Sequence, residues 1–348
     1  MADSSTTQEP IKLSLGESLD FALKISHALA VTLVSLVTYP FTSASKKHPL
    51  LSKHLISALA RSVSTSATIR QIRANGATTE AIYNTLATKN NFTPNTITID
   101  DNGTKAHWIG DSSAKKVLLF FHSGGYCFHG SPEELTFCWD QVKATSGKMA
   151  VLALDYDLAP KYTYPCQLAQ AAKALQYLLS NGKSPSDIII SGPSAGGHLC
   201  LSLLSHLSHP HPNPIVPAIT LSSPLEGCLL ISPGVSLDGQ DPPLSASTID
   251  GITPEGTAKW GAAYRGGAEL DPYNAPVTAD ADWWKGFKAD KVLIVAGAEE
   301  TLAGNIKELS RKIKGEGHVA VFLDAMMGYE RPQSAIIIDA WIQKTVVN

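Results

Sequence analysis

Short runs rich in β-branched and aromatic residues recur from residue 95 onward, and they constrain the fold more than any other feature. Amphipathic stretches separate several of them, such as QLAQAAKALQYLLSNG at 167–182, which ends on an Asn-Gly pair as many helices do. Buried strands that alternate with helices predict an α/β fold with a mostly parallel sheet, flanked by helices on both faces. The runs are NTITID (95–100), VLLFF (117–121), AVLALDY (150–156), DIIISG (187–192), GCLLIS (227–232), KVLIVAG (291–297) and HVAVFLD (318–324).

Two regions depart from this alternation. Residues 1–94 carry apolar positions mostly at helical spacing, and residues 233–285 are rich in Pro and Gly and end close to a Trp-Trp pair. We therefore predict an N-terminal helical or cap segment over 1–94 and an α/β domain over 95–348, with a cap insertion at about 233–285. Both atypical regions are expected to fold over the ends of the strands.

The sequence GPSAGG at 192–197 lies between a strand-like run and an apolar helical stretch. In that context G-x-S-x-G is typical of a nucleophile elbow, because the turn is too tight for side chains on both sides of the serine. The hydroxyl of Ser194 would then be held above the sheet, at the N-terminus of the following helix. The alternative is an ordinary glycine-rich turn between a strand and a helix.

A second turn of small residues follows VLLFF, where the chain reads HSGGY at 122–126. Small side chains leave the backbone N–H groups unobstructed. Together with the N–H of Ala195, these groups could bind an oxyanion that develops during a reaction. The alternative is an ordinary tight turn.

Together these motifs resemble those of the α/β-hydrolase fold, and within it the hormone-sensitive-lipase-like esterases. That family's HGGG motif corresponds to HSGG here, and its GDSAGG motif corresponds to GPSAGG. The segments DYDLAPKYTYP (155–165) and LDPYNAP (270–276) match two further motifs of the family. The stretch that contains KVLIVAGAEETL resembles fungal members in particular. The resemblance runs from about residue 95 to the end of the chain, and it implies an α/β-hydrolase fold with a helical cap.

The resemblance also implies the site residues. Ser194 corresponds to the nucleophile, Gly124, Gly125 and Ala195 correspond to the oxyanion-hole donors, and Glu300 corresponds to the acid of the triad. The family's histidine follows the last strand in a short turn. That turn reads MGYE at 327–330 here, so Tyr329 occupies the histidine's place, and no histidine follows His318.

The missing histidine changes the expected chemistry. A serine hydroxyl is a poor nucleophile unless a base removes its proton, and tyrosine, with a reference pKa of ~10, is a hydrogen-bond donor at neutral pH. Loss of the histidine costs about 10⁶ in rate in the protease cases. The sequence therefore predicts an enzyme acting on a carbonyl-containing small molecule. It would use the oxyanion hole with Ser194, Glu300 and Tyr329 for condensation, dehydration, isomerisation or cyclisation, in (secondary) metabolite biosynthesis.

Two alternatives remain open. The first is a carboxylic-ester hydrolase with an atypical or relocated base, for which His129, just beyond the HSGG turn, is the main candidate. His198 is expected to pack locally, and His318 to lie at the wrong end of the last strand. The second alternative is a non-catalytic binding protein.

Charge and cysteine content narrow the expected partners. The 348 residues carry a net charge of −3 without a run of basic residues, so we expect a small-molecule substrate and no nucleic acid. Five widely spaced cysteines without a CxxC pair favour a reducing, cytoplasmic compartment. We expect no cofactor and no metal ion. The His- and Pro-containing stretch 205–217 favours an exposed loop.

The apolar stretch ISHALAVTLVSLVTYPF at 25–41 allows two interpretations. Its length of ~17 residues is at the lower edge for crossing a bilayer. We expect a buried or lid helix. The alternative is membrane association through 25–41, which would make the localisation membrane-associated instead of cytoplasmic.

Overall fold

The computed structural model describes residues 11–43, 46–239, 250–298, 300–314, 318–324 and 333–347. An eight-stranded sheet forms its centre, with the strand order β1-β2-β4-β3-β5-β6-β7-β8. β2 pairs antiparallel with β1 and β4, whereas β3 to β8 run parallel, so the predicted α/β fold is confirmed. The strands are β1 (Asn95–Thr98), β2 (Lys105–Ile109), β3 (Lys116–Phe121), β4 (Met149–Asp155), β5 (Ile188–Pro193), β6 (Leu225–Ile231), β7 (Ala289–Gly297) and β8 (His318–Asp324).

Alternate residues of the central strands belong to two separate hydrophobic cores. In β3, Val117, Leu119 and Phe121 belong to one core, and Leu118 and Phe120 belong to the other. Because successive side chains of a strand point to opposite faces, this division shows that helices cover both faces of the sheet. The α-helices of the described residues are α1 (Leu15–Thr38), α2 (Leu51–Ser66), α3 (Ile69–Ala74), α4 (Thr79–Lys89), α5 (Pro132–Ala144), α6 (Cys166–Ser180), α7 (Ala195–Ser208), α8 (Pro254–Arg265), α9 (Ala303–Ile313) and α10 (Gln333–Val347).

Strand β2, with the sequence KAHWI, is absent from the seven predicted runs. It pairs with β1 across the turn that holds Asn102 and Gly103, and the φ angle of Gly103 is 82°. An Asn-Gly pair between two strands is a strong hairpin signal, because both turn positions take positive φ easily. That signal, not the apolar content of β2, marks the hairpin in the sequence.

The N-terminal helices pack beside the region predicted as a cap insertion. Lys259 of α8 donates hydrogen bonds to the backbone oxygens of Ser64 and Ala67, at the C-terminal end of α2. The hydroxyls of Thr65 and Thr253 lie 3.1 Å apart. Residues from both atypical regions of the sequence are therefore in direct contact.

Of the buried or lid helix that we expected over 25–41, the structure does not show the buried form in α1. Together with the 3₁₀ turn Tyr39–Phe41, α1 forms a helical span of 27 residues. An 18-residue window of this span has a mean hydropathy of 1.7, and 6% of that window is buried. By length and composition alone, this span could cross a membrane.

The stretch 205–217 also differs from the exposed loop that we expected. Its first residues complete α7, and the buried ring of His206 is 3.0 Å from the backbone oxygen of Pro217. His209 stacks on Trp283 at 3.9 Å, and His211 is 2.7 Å from the hydroxyl of Tyr164. The three histidines of this stretch therefore contact other residues of the protein, and His206 is buried.

Candidate active site

Ser194 lies at the turn between β5 and α7 with a φ angle of 50° and a ψ angle of −115°. A serine with positive φ is strained, and such strain is typical of functional positions. The turn requires glycine on both sides, because a Cβ atom at Gly192 or Gly196 would clash with the carbonyl oxygen of Phe121. The amide of Ser194 donates to the backbone oxygen of Ile231 at 2.9 Å, which ties the turn to the end of β6. This geometry is that of a nucleophile elbow.

The turn after β3 has positive φ at three successive residues: Gly124 (97°), Gly125 (57°) and Tyr126 (61°). The carbonyl of Gly124 accepts hydrogen bonds from the amides of Cys127 and Phe128, both at 2.9 Å. Across the part of the chain that the structure describes, no acceptor pairs with the amides of Gly124 and Gly125. The amide of Ala195 is the first of α7, so it has no acceptor within the helix. These three N–H groups suit an oxyanion hole.

Side chains of neighbouring elements hold this turn rigidly. The hydroxyl of Tyr156 donates to the backbone oxygens of His122 and Ser123 at 2.9 and 3.0 Å, and its ring stacks on His122 at 4.0 Å. Glu134 of α5 accepts a hydrogen bond from the amide of Ser123 at 2.8 Å. Because the amide of Ser123 is already bound, Gly124 and Gly125 are the donors that remain.

Glu300 lies just beyond β7, the second strand along from the elbow. One carboxylate oxygen, Oε2, accepts from the hydroxyl of Ser232 at 2.7 Å and from the amide of Gly297 at 2.8 Å. Ser232 follows β6 with a φ angle of 43°, and its own amide donates to the backbone of β7. The carboxyl ends of β5, β6 and β7 therefore bring Ser194, Ser232 and Glu300 to one edge of the sheet.

The turn that contains Tyr329 lies outside the described residues. The strand before it is described: β8 ends at Asp324, which pairs with Gly297 of β7. The end of β8 is therefore next to the residue whose amide binds Glu300. His318 begins β8 beside Lys291, at the opposite end of the strand, as the sequence predicted.

His129, the predicted substitute base, has its Nδ1 atom 3.4 Å from the hydroxyl of Thr79 in α4. Burial lowers the pKa of His129 to about 4, although the charge of Asp155 opposes this shift. Within the described ranges, the structure shows no hydrogen bond that joins the ring to Ser194. The observed contacts direct this histidine towards α4.

His198, one turn into α7, is fully buried. Its Nε2 is 3.0 Å from the backbone oxygen of Asn274, so Nε2 carries the proton, and Nδ1 accepts from the hydroxyl of Tyr126 at 2.6 Å. Burial lowers the pKa of His198 to about 4, so the ring is neutral near pH 7. The contacts of His198 are those of a packing residue that joins the elbow helix to the HSGG turn.

A hydrogen bond joins the segments DYDLAPKYTYP and LDPYNAP. The hydroxyl of Tyr164 donates to Asp271 at 2.7 Å, and Asp271 also accepts from the amides of Tyr273 and Asn274, both at 2.8 Å. Since Asn274 in turn accepts from His198, these motifs form one connected support for the elbow helix.

Residues of the predicted cap insertion lie over the HSGG turn. A Cβ atom at Gly125 would be 3.1 Å from the ring of Trp260 in α8, and Phe128 packs edge-on against the same ring at 5.3 Å. Next to Glu300, the amide of Thr301 donates to the carboxylate of Asp250 at 2.7 Å. The segment 250–265 therefore contacts both the HSGG turn and the loop that bears Glu300.

Sequence reasoning identified neither Tyr156 nor Ser232 as a site residue. Tyr156 lies inside the quoted DYDLAP segment, so a signal for it was present in the sequence. Ser232 ends the run GCLLIS, and nothing in that run indicates a contact with Glu300, which lies 68 residues further along the chain.

Comparison with known proteins decides the family. A family model described as alpha/beta hydrolase fold matches residues 118–327, which is more than half of the chain. The chain belongs to the α/β-hydrolase fold family. Its sequence is esterase- and lipase-like: it is 39% identical to Lipase 2 of Moraxella sp. (strain TA144) over 97 residues, which are 27% of this chain and 22% of that protein.

A second relative is carboxylesterase/phospholipase LipF of Mycobacterium tuberculosis (strain ATCC 25618 / H37Rv). It is 34% identical over 114 residues, which are 32% of this chain and 29% of LipF. The matched segments thus span about a quarter of the length of these curated relatives. The crystal structure of an esterase from the bacterial hormone-sensitive lipase (HSL) family matches 86% of this chain and 99% of that one, with a TM-score of 0.63 and 22% identity. At that identity the likeness shows a shared fold.

Proposed function

We propose that this α/β-hydrolase-fold protein is an enzyme that binds a carbonyl-containing small molecule. The substrate oxygen would lie at the amides of Gly124, Gly125 and Ala195. We propose that Tyr329 replaces the family's histidine and that the reaction is a condensation, dehydration, isomerisation or cyclisation. Ser194 would position the carbonyl carbon, while Glu300 or Tyr329 moves a proton.

One observation supports this proposal above the others. Ser194 has the strained backbone of an elbow and Gly124 and Gly125 have positive φ angles, yet no histidine follows β8 in the sequence. An oxyanion hole stabilises negative charge on any carbonyl oxygen, so it assists enolate chemistry as well as acyl transfer. Hydrolysis through an acyl-enzyme, in contrast, requires a base at the serine.

The surroundings of the site extend the proposal. We infer that residues 1–94 and about 233–285 form a cap over the α/β-hydrolase domain, which the contacts of α8 with α2 and with the HSGG turn support. The resemblance to fungal members favours a role in secondary-metabolite biosynthesis by analogy only.

All five cysteines are free, which is consistent with a reducing, cytoplasmic compartment. We propose a reaction that needs no cofactor.

A second candidate function is carboxylic-ester hydrolysis with an atypical base. Two of its relatives, named a lipase and a carboxylesterase, favour it. The contacts of His129 do not favour that residue as the base, because its ring lies against Thr79 and its pKa is about 4. A hydrolytic reaction would therefore depend on a group other than His129.

Activity assays on wild type and two variants distinguish these functions. With short p-nitrophenyl esters, we expect wild type and Ser194→Ala to turn over at the same background rate. With a panel of ketones and β-dicarbonyl compounds, mass spectrometry should detect a product that is isomeric with its substrate or lacks one water. Wild type should form this product and Glu300→Gln should not.

Other outcomes would contradict the proposal. Ester turnover that disappears in Ser194→Ala would establish the hydrolase. Compounds that raise the melting temperature without forming any product would establish a binding protein.

A further inference from the structure

Large apolar side chains are exposed along the whole length of α1, with a few exposed polar residues such as Ser26 and His27 between them. We call the α1 outer face the set of large apolar side chains of α1 and the following 3₁₀ turn that are 41–88% exposed: Leu15, Leu19, Leu23, Leu29, Leu33, Val34, Leu36, Val37 and Phe41. Soluble monomers rarely expose a continuous apolar patch larger than a few hundred Å². A face of this length indicates that something apolar covers it.

The inward side of the same helix mixes polar and apolar residues. Glu17, Lys24, Thr32 and Ser35 are half-buried there, beside the half-buried Phe21, Ile25 and Val31 and the buried Ala28. A surface helix of a water-soluble domain normally turns its apolar stripe towards the core, whereas most of the leucines of α1 are exposed. The orientation of α1 is therefore that of a helix whose outer side meets hydrocarbon.

Polar contacts fasten both ends of α1 to the rest of the protein. Near its start, Glu17 forms an ion pair with Arg70 of α3 at 2.9 Å, and its backbone oxygen accepts from Gln71 at 3.1 Å. Just beyond its end, the hydroxyl of Tyr39 donates to the backbone oxygens of His48 and Pro49 at 3.0 and 2.6 Å. At 1.5 Å per residue these anchors are ~33 Å apart along the axis. The helix therefore lies along the protein surface, whereas a helix that crosses a bilayer would have to release one end.

The charged residues on and near α1 indicate what kind of surface would cover the α1 outer face. From residue 15 to residue 79 the chain holds seven Lys and Arg residues and two acidic residues, Glu17 and Asp20, although the net charge of the whole chain is −3. Basic residues beside an apolar face attract anionic lipid head groups. A second copy of the same basic segment would be repelled.

We propose that the α1 outer face docks onto an anionic lipid bilayer, with the helix lying in the plane of the interface instead of crossing it. Interfacial helices of this kind bury their apolar side ~5–10 Å into the boundary between head groups and acyl chains. Helix α2, which packs on α1, also contacts α8 through Lys259, and Trp260 of α8 covers the HSGG turn. Direct contacts thus link the lipid-facing helix to the candidate active site, but the docking does not depend on which reaction occurs there.

Vesicle flotation tests the docking. Wild type should float with vesicles of phosphatidylcholine containing about 30% phosphatidylserine, and the bound fraction should fall at high salt because screening weakens the attraction. Leu33→Asp/Val37→Asp should bind at least ~10-fold more weakly, since each charge would have to enter the acyl region. The matched control is Ile215→Asp/Ile336→Asp, which places two charges at positions 50% and 52% exposed on other parts of the surface and should bind as wild type.

Two results would overturn the docking. One is the absence of vesicle binding by wild type. The other is a wild-type dimer in light scattering that Leu33→Asp/Val37→Asp separates into monomers, because a second copy would then cover the face.

The in-plane orientation has its own test. An environment-sensitive dye attached to Leu19→Cys, Leu29→Cys or Val37→Cys should be quenched to the same extent at all three positions by lipids with a shallow spin label. A helix that crosses the bilayer would place the dye of Leu29→Cys deepest, and lipids with a deep spin label would quench it most. That pattern would overturn the in-plane orientation.

Discussion

Local backbone geometry positions Ser194 and the three candidate amide donors. The positive φ of Ser194 and the run of positive φ from Gly124 to Tyr126 are fixed by glycine contacts, by Tyr156 and by Glu134. At this scale the sequence was informative, because GPSAGG and HSGG are contiguous motifs. Contacts such as Ser232 with Glu300 join distant segments, so no local pattern predicts them.

A boronic acid can test the serine and the oxyanion hole without a base. Boron accepts a lone pair from the Ser194 oxygen, the hydroxyl proton passes to solvent, and the tetrahedral anion that forms places an oxygen at the amides. We expect phenylboronic acid at saturation to raise the melting temperature of wild type by about 2–5 °C. Ser194→Ala should show no rise. A smaller rise is expected for Gly125→Ala, whose added Cβ would crowd Trp260.

Two other outcomes of the boronic acid experiment would contradict this prediction. An equal rise in wild type and Ser194→Ala would place the compound elsewhere. The absence of any rise in wild type would show that the oxyanion hole is not assembled.

At the scale of elements, the elbow helix α7 has a built-in pH dependence. The pKa of the buried His198 is lowered by burial to about 4, whereas an unfolded histidine has a pKa of ~6.5. The folded state therefore prefers the neutral ring. The resulting stability is complete above pH ~6.5 and is lost as pH falls towards 4, because the unfolded chain binds the proton first.

Replacing this histidine should flatten the pH dependence. Between pH 7.5 and pH 5, wild type should lose about 2 kcal/mol more free energy of unfolding than His198→Gln, as measured by urea unfolding. His27→Gln, at an exposed position of α1, is the control and should behave as wild type. If His198→Gln retained the full pH dependence of wild type, the buried neutral ring would not be its source.

The elements show where pattern reasoning succeeds and where it ends. The seven strand-like runs were found because buried parallel strands are apolar and β-branched. β2 was missed because KAHWI is not a run of β-branched apolar residues, although the Asn-Gly turn before it indicates a hairpin. Helix α1 was recognised as apolar, but an apolar composition does not show which side faces the protein. That orientation depends on contacts with Arg70, Gln71 and His48, which are distant in the sequence or follow a turn.

At the scale of the whole molecule, the chain has the α/β-hydrolase fold of its family. The strained turn at Ser194, the turn at Gly124 and Gly125, and Glu300 just beyond β7 all lie at the carboxyl ends of the strands. The end of β8, which precedes Tyr329, is held beside Gly297. If Tyr329 stands where the family has its histidine, a single substitution should supply the component that ester hydrolysis lacks.

The most direct measurement is therefore the rate of p-nitrophenyl acetate hydrolysis by Tyr329→His. We predict that kcat/KM rises at least ~10²-fold over wild type, because a positioned general base contributes about 10²–10⁴ in rate. The gain should disappear in Tyr329→His/Ser194→Ala, since the histidine acts through the serine. A folded Tyr329→His variant that hydrolyses the ester no faster than wild type would contradict the account.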